Sequence, residues 1–218
     1  MAVTTAMIRE LREITSAPML DCKKALEETG SVDEAVQFLR KKGLAAAAKK
    51  AGRAAAEGAV GSYIHAGGKL GVLVEVNCET DFVGRTEEFQ ELVRDIAMHI
   101  AAAEPRFVRR EEVTEDILDR EREVHREQVL AAGKPENLVD RIVTGKMEKF
   151  YSETVLLEQS FVKNPDLTVE KMIAEKVAKI GENIQVRRFV RFKLGEGLER
   201  KQDDFAAEVA AQIADAQG

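Results

Sequence analysis

At 218 residues the chain has room for one large domain or two small ones, and 44% hydrophobic residues suffice for a core. A charged fraction of 33% with a net charge of -6 favours solvated helices and argues against a general nucleic-acid binder. No stretch of about eighteen apolar residues offers a membrane span, and Met1-Ala2-Val3-Thr4 opens neither a signal peptide nor a transit peptide. The two distant cysteines, Cys22 and Cys78, give no zinc spacing, so reduced, buried thiols in a cytoplasmic protein are expected.

Residues 1–53 read as a three-helix module. Met7, Ile8, Leu11 and Ile14 recur at helical spacing until Thr15-Ser16-Ala17-Pro18 interrupts them. Pro18 opens a second helix carrying Leu20, Cys22, Ala25 and Leu26, and Gly30 suits a left-handed cap. Ser31-Val32-Asp33-Glu34 is a capping-box pattern for a third helix with Val32, Ala35, Val36 and Leu39 on one face, up to Gly43. Such a module resembles ubiquitin-associated domains, a fold with too many uses to define a function. Arg40 to Glu57, rich in Ala and Lys, reads as a solvated helical linker; an RNA-binding segment is the alternative, but no aromatic stacking residue accompanies it.

Residues 54–198 read as an α+β core: a small antiparallel sheet covered by helices, with a protruding helical hairpin at about 110–151. Ala59, Gly61, Tyr63 and His65 alternate with Val60, Ser62 and Ile64, and Gly67-Gly68 reads as a hairpin turn. The run Leu70 to Val74 returns as the central strand and ends in the polar cluster Asn77 to Asp81. Phe82 follows that cluster directly, and is either a plug into its own core or a probe pointed outward.

Thr86 caps a helix whose Phe89, Leu92, Val93, Ile96 and Ile100 form one stripe, which should cover the sheet, with His99 on its flank and Pro105 at its end. Charge-dense residues from Arg109 with a sparse seam of Val113, Ile117 and Val124, then Leu138, Val139, Ile142 and Val143, form the hairpin. Asn164-Pro165-Asp166 reads as a turn, Thr168 as the cap of a helix with Val169, Met172, Ile173, Val177 and Ile180, and Gly181 as its stop. Ile184, Val186, Val190 and Phe192 then share one strand face against Gln185, Arg187, Phe189, Arg191 and Lys193. Arg188 falls on the apolar face, at an edge or paired with a carboxylate. Residues 199–218 form a C-terminal helical module capped by Asp203 or Asp204, with Phe205, Val209 and Ile213 on one side.

No phosphate-binding glycine loop, Ser-His-Asp or Cys-His grouping stands out, and His65, His99 and His125 lack metal-ligand spacing. No bond-making chemistry, metal or cofactor is therefore expected.

Two stretches carry a closer likeness. Leu11 to Leu26, with Pro18 where a small residue is usual, and Glu75-Val76-Asn77-Cys78-Glu79-Thr80-Asp81-Phe82-Val83-Gly84-Arg85 resemble signature stretches of elongation factor Ts, in its short bacterial or plastid form. Gly61 to Ala103, Glu182-Asn183-Ile184 and Arg188 to Gly197 extend the resemblance over nearly the whole chain. It implies a guanine-nucleotide exchange factor for elongation factor Tu in translation elongation. On that reading Asp81-Phe82, flanked by Thr80 and Val83, inserts near the magnesium and nucleotide site of the GTPase. Leu11, Arg12, Met19, Leu20 and Lys23 would hold the same domain, with further contacts at Lys50, His65, His99, Ile180 and Gly181. Longer members carry two sheet subdomains; one can be placed here, so a homodimer is expected, with no membrane and no direct nucleic-acid contact. The competing classes are a peptide-binding module built on residues 1–53 and an RNA binder using residues 40–53 and Arg187 to Lys193.

Overall fold

A computed structural model describes residues 3–15 and 17–198; Ser16 and the block 199–218, with the final helix expected from Asp203, lie outside them. Helices α1 (Thr5–Thr15), α2 (Met19–Thr29) and α3 (Val32–Lys50) form the N-terminal module. Gly30, at φ +80°, ends α2 by donating its N–H to the Leu26 carbonyl, a conformation glycine adopts without Cβ strain. Ser31 starts α3 by accepting from the Glu34 N–H at 3.3 Å. Leu11, Cys22, Ala25, Leu26 and Ala35 are buried together as the centre of this module.

The linker expected from residue 40 is instead the second half of α3. Its sequence hides this, because Gly43 lowers helix propensity by about 1 kcal/mol and the Ala-rich run shows no apolar stripe. Tertiary packing overrides both. Gly43 lies against α8 (Val169–Ile180), where a Cβ would come within 3.1 Å of the Ala178 Cβ, and Ala47 is buried in the main core. An Arg40–Glu175 ion pair at 2.9 Å bridges the same helices. One helix thus belongs to both bodies.

Strands β1 (Glu57–Ile64), β2 (Leu70–Cys78) and β5 (Gln185–Lys193) form an antiparallel sheet in the order β1-β2-β5. Val72, Val74, Val76 and Cys78 point inward from the central strand onto α5 (Glu87–Ala103), whose Phe89, Leu92, Val93, Ile96 and Ile100 are buried as their spacing predicts. Contact between α5 and β1 is direct at Gly61, where a Cβ would stand 2.2 Å from Val93 Cγ1.

The face assignment of β5 is corrected by a bulge. Glu75 pairs with Arg188 but Val76 with Val186, so Arg187 is an extra residue and the alternation restarts beyond it. Val186 faces the core, whereas Val190 and Phe192 turn outward and Phe189 packs inward. The outward row Val60, Ile64, Leu73, Val190 and Phe192 is an exposed apolar sheet face. Glu75, on that same face, binds Arg187 at 2.8 Å and Arg188 at 2.7 Å, the carboxylate partner expected for Arg188. The Arg187 and Arg188 guanidiniums hold the Glu75 carboxyl below the usual carboxylate range.

Two further antiparallel helices, α6 (Glu115–Ala131) and α7 (Glu136–Thr154), make the hairpin. Its seam is Leu118, Val129, Val139, Met147 and Phe150, while Val124 and Leu138, read as seam residues, face solvent. At its base Arg110 binds Glu148 and Glu158 and lies over the Tyr151 ring. The turn expected at Asn164-Pro165-Asp166 is strand instead: β3 (Ser160–Phe161) pairs with β4 (Asn164–Thr168) ahead of α8.

Candidate partner-contact site

The exposed Asp-Phe turn follows from local chemistry. Where β2 ends, Thr80 caps α4 (Asp81–Gly84), a single turn of helix, by accepting from the Val83 N–H at 3.3 Å. The opposite end is capped as well: the Thr86 hydroxyl donates to the Val83 carbonyl at 2.8 Å and Gln90 Nε2 to the Gly84 carbonyl at 2.7 Å. Val83 is buried and plugs the turn into the core, and Gly84 packs on the Gly58 backbone. Phe82, one position earlier on so short a helix, points the other way and is 81% exposed. Of the two readings of this aromatic, the structure shows the outward one.

Asp81 is exposed and forms a two-point ion pair with Arg85, at 2.6 and 3.1 Å. So exposed a pair contributes at most about 1 kcal/mol, which leaves the carboxylate available to another cation. Cys78 donates its thiol to the Thr80 carbonyl at 3.1 Å, and burial pushes that thiol up from its usual 9.0, so at neutral pH it is a protonated, unreactive strut.

Behind the turn lies the segment joining α8 to β5. Glu182 Oε2 accepts from the N–H groups of Glu79 at 3.1 Å and Thr80 at 3.0 Å, and its Oε1 accepts from the Thr80 hydroxyl at 2.6 Å. Glu79 reciprocates by accepting from the Asn183 N–H at 2.6 Å. The Asn183 side chain donates to the carbonyls of Ala51, at 3.3 Å, and Arg53, at 2.7 Å, just beyond α3. Sequence reading places Glu182-Asn183 in the resemblance but gives them no role. Their partners stand roughly a hundred residues away in the chain, and nothing local signals such a pairing.

The remaining expected contact residues divide by exposure. Met19 and Leu20 stand out at 59% and 73%, large apolar side chains at the start of α2 with the exposed Ile14 close by on α1. Arg12 and Lys23 are exposed on the same module, while Leu11 is fully buried and shapes the module from within. Lys50 ends α3, and His65, at the end of β1, is exposed and hydrogen-bonded to the Tyr63 hydroxyl at 3.1 Å. Gly181 caps α8 in the left-handed conformation, beside the half-buried Ile180 and next to the Glu182 clamp.

His99 presents no surface. It is fully buried, accepts from the Val162 N–H at 3.3 Å through Nδ1, and therefore carries its proton on Nε2, which donates to Gln159 Oε1 at 3.0 Å. Its stripe-flank position in the sequence conceals the β3 segment that closes over it. Among the described residues, no group of three His, Cys, Asp or Glu side chains could hold a metal ion.

An exposed aromatic on a turn capped at both ends, with a separate exposed apolar cluster on the N-terminal module, defines a class: a factor that works by surface contact on another macromolecule. The elongation factor Ts family model matches residues 3–196. Elongation factor Ts of Geobacter sulfurreducens is 63% identical over 212 residues, covering 97% of this chain and 98% of that protein. The proteins of the same description from Carboxydothermus hydrogenoformans and Desulforamulus reducens are 61% and 62% identical over the same shares of chain. The chain belongs to the elongation factor Ts family.

Proposed function

We propose that Phe82 is the wedge with which this chain opens the nucleotide site of elongation factor Tu. As a member of its family the chain is a guanine-nucleotide exchange factor in translation elongation, and the wedge is how it acts. An exchange factor makes no bond; it binds the nucleotide-free GTPase more tightly than the loaded one, and reciprocity weakens nucleotide by the same factor. Burying a Phe contributes about 1.5–3 kcal/mol, or roughly 10–150-fold in that factor. Asp81 fixes the approach, and Met19, Leu20, Arg12 and Lys23 anchor the GTPase so that the wedge is not expelled.

The carrying observation is an aromatic ring left 81% exposed on a turn capped at both ends. Release of fluorescent GDP from elongation factor Tu, measured with wild type and Phe82→Ala, tests it. The variant is expected to melt at the wild-type temperature, since the ring packs on little, and to slow release about 10-fold or more. Unchanged release by a folded Phe82→Ala would exclude the wedge.

The same reading covers assembly and place. A second copy of this chain covers the outward sheet face, because stacking two identical three-stranded sheets buries Val60, Ile64, Leu73, Val190 and Phe192 on both copies at once. The site of action is the cytoplasm, where translation takes place, and the partner is a protein surface, not nucleic acid. No helix among the described residues is long and apolar enough to cross a membrane.

A further inference from the structure

We infer that Glu182 is a positioning residue for exchange: its carboxylate holds the Phe82 turn at a fixed angle and locks it to the start of β5. The inference rests on Phe82 acting as the wedge, and concerns what keeps that wedge aimed under load. A partner that buries Phe82 pushes back on α4, a helix of four residues with almost no core of its own. Val83, Thr86 and Gln90 hold its core side and its C-terminal end, which leaves its N-terminal end to be held.

Glu182 supplies the missing resistance. Both carboxylate oxygens are used on one stretch of chain, the amides of Glu79 and Thr80 and the Thr80 hydroxyl. The hydroxyl is itself the cap of α4: it spends its proton on Glu182 at 2.6 Å and its lone pair on the Val83 N–H. The orientation of the cap is thereby set from outside the turn, by a residue about a hundred positions away in sequence. The tie runs on through the Glu79–Asn183 and Asn183–Ala51 bonds to the end of α3, so the turn, Gly181 and the N-terminal module are joined by one hydrogen-bonded strap.

The Glu182 carboxylate bonds Glu79 and Thr80, so its loss should be felt through the aim of the turn that carries Phe82. The test is a double-mutant cycle on GDP release from elongation factor Tu, with Glu182→Ala, Phe82→Ala and the pair, each checked by thermal melt. Glu182→Ala is expected to slow release about 10-fold, and the pair to be no slower than Phe82→Ala alone. Glu182→Gln should restore release to within about 3-fold of wild type, since its carbonyl can accept both amides while its amide donates to Thr80 Oγ1.

Additive effects in the cycle, or wild-type release by folded Glu182→Ala, would overturn the positioning role while leaving the wedge intact. A Phe82→Ala variant that releases GDP at the wild-type rate would remove the wedge itself. If Glu182→Ala fails to fold, Thr80→Val, which removes the hydroxyl bonded to Glu182 and to the Val83 N–H, decides the matter by the same cycle with Phe82→Ala.

Discussion

Single side chains here divide into those left exposed and those that hold them in place. Phe82 and Val83 are adjacent, yet one is 81% exposed and the other buried. The Asp-Phe stretch was recognisable in the sequence, but its direction was not, since a turn residue's orientation depends on what packs behind it. His99 failed for a related reason: the β3 segment that buries it is sixty residues downstream, outside any local pattern. Its burial has a consequence for acid stability. Burial lowers the His99 pKa from the ordinary 6.5, with the Gln159 bond partly opposing. Below pH 6.5 the unfolded chain therefore binds a proton that the folded chain refuses, so this contribution is complete above pH 6.5 and declines as pH falls. Urea unfolding at pH 7.5 and 5.5 should show wild type losing up to about 1.4 kcal/mol more over the last pH unit than His99→Gln, which cannot titrate. Equal losses would mean that His99 is not buried neutral. Gly61 makes a second residue-level case: Gly61→Ala drives a Cβ into Val93 and should cost about 1–3 kcal/mol by denaturant midpoint.

Among the elements, the ones with strong amphipathic stripes, α5 and α8, were legible from spacing, as were the β1–β2 hairpin and the helical hairpin. Those whose identity depends on distant packing were not. The second half of α3 reads as linker because Ala and Gly give no stripe, yet small residues are what allow it to approach α8 closely. On β5 the alternation is broken only by Arg188 and Phe189, and the pairing with Glu75 and Val76 reveals that Arg187 is a bulge. One residue decides which side of the sheet is greasy. Deleting Arg187 makes Val186 and Arg188 adjacent, like the Val76 and Glu75 they pair with, so Phe189 should stay inward, Val190 and Phe192 outward, and the denaturant midpoint should move by less than about 1.5 kcal/mol. A deletion that costs about 3 kcal/mol or more would show instead that the faces had exchanged.

For the whole molecule, the bulge produces the exposed apolar face on which the homodimer proposal rests. Light scattering at micromolar concentration should give twice the chain mass, and Leu73→Glu with Phe192→Glu should give folded monomers whose melting temperature no longer depends on concentration. A wild-type monomer under those conditions would dismiss this assembly. The surface is not self-evident from the sequence, which assigns Val190 and Phe192 to the core side. Their true placement needs the strand register, a long-range fact.

The uninterrupted α3 makes the protein a caliper. Helix α2 returns along its 19 residues, with Asp21 paired to Lys42 at 2.8 Å, so Met19 and Leu20 are carried beside its middle as one jaw and, through Asn183 and Glu182, Phe82 beyond its end as the other. A caliper of fixed opening fits one thickness. If Met19, Leu20 and Phe82 are the contacts proposed above, the fixed separation between them favours the partner form whose contact points lie at the matching distance. Inserting one alanine at residue 45 would turn one jaw about 100° relative to the other, at the expense of the Gly43–Ala178 and Arg40–Glu175 contacts between the bodies. Such a protein should still fold, still expose both jaws, and no longer accelerate nucleotide release.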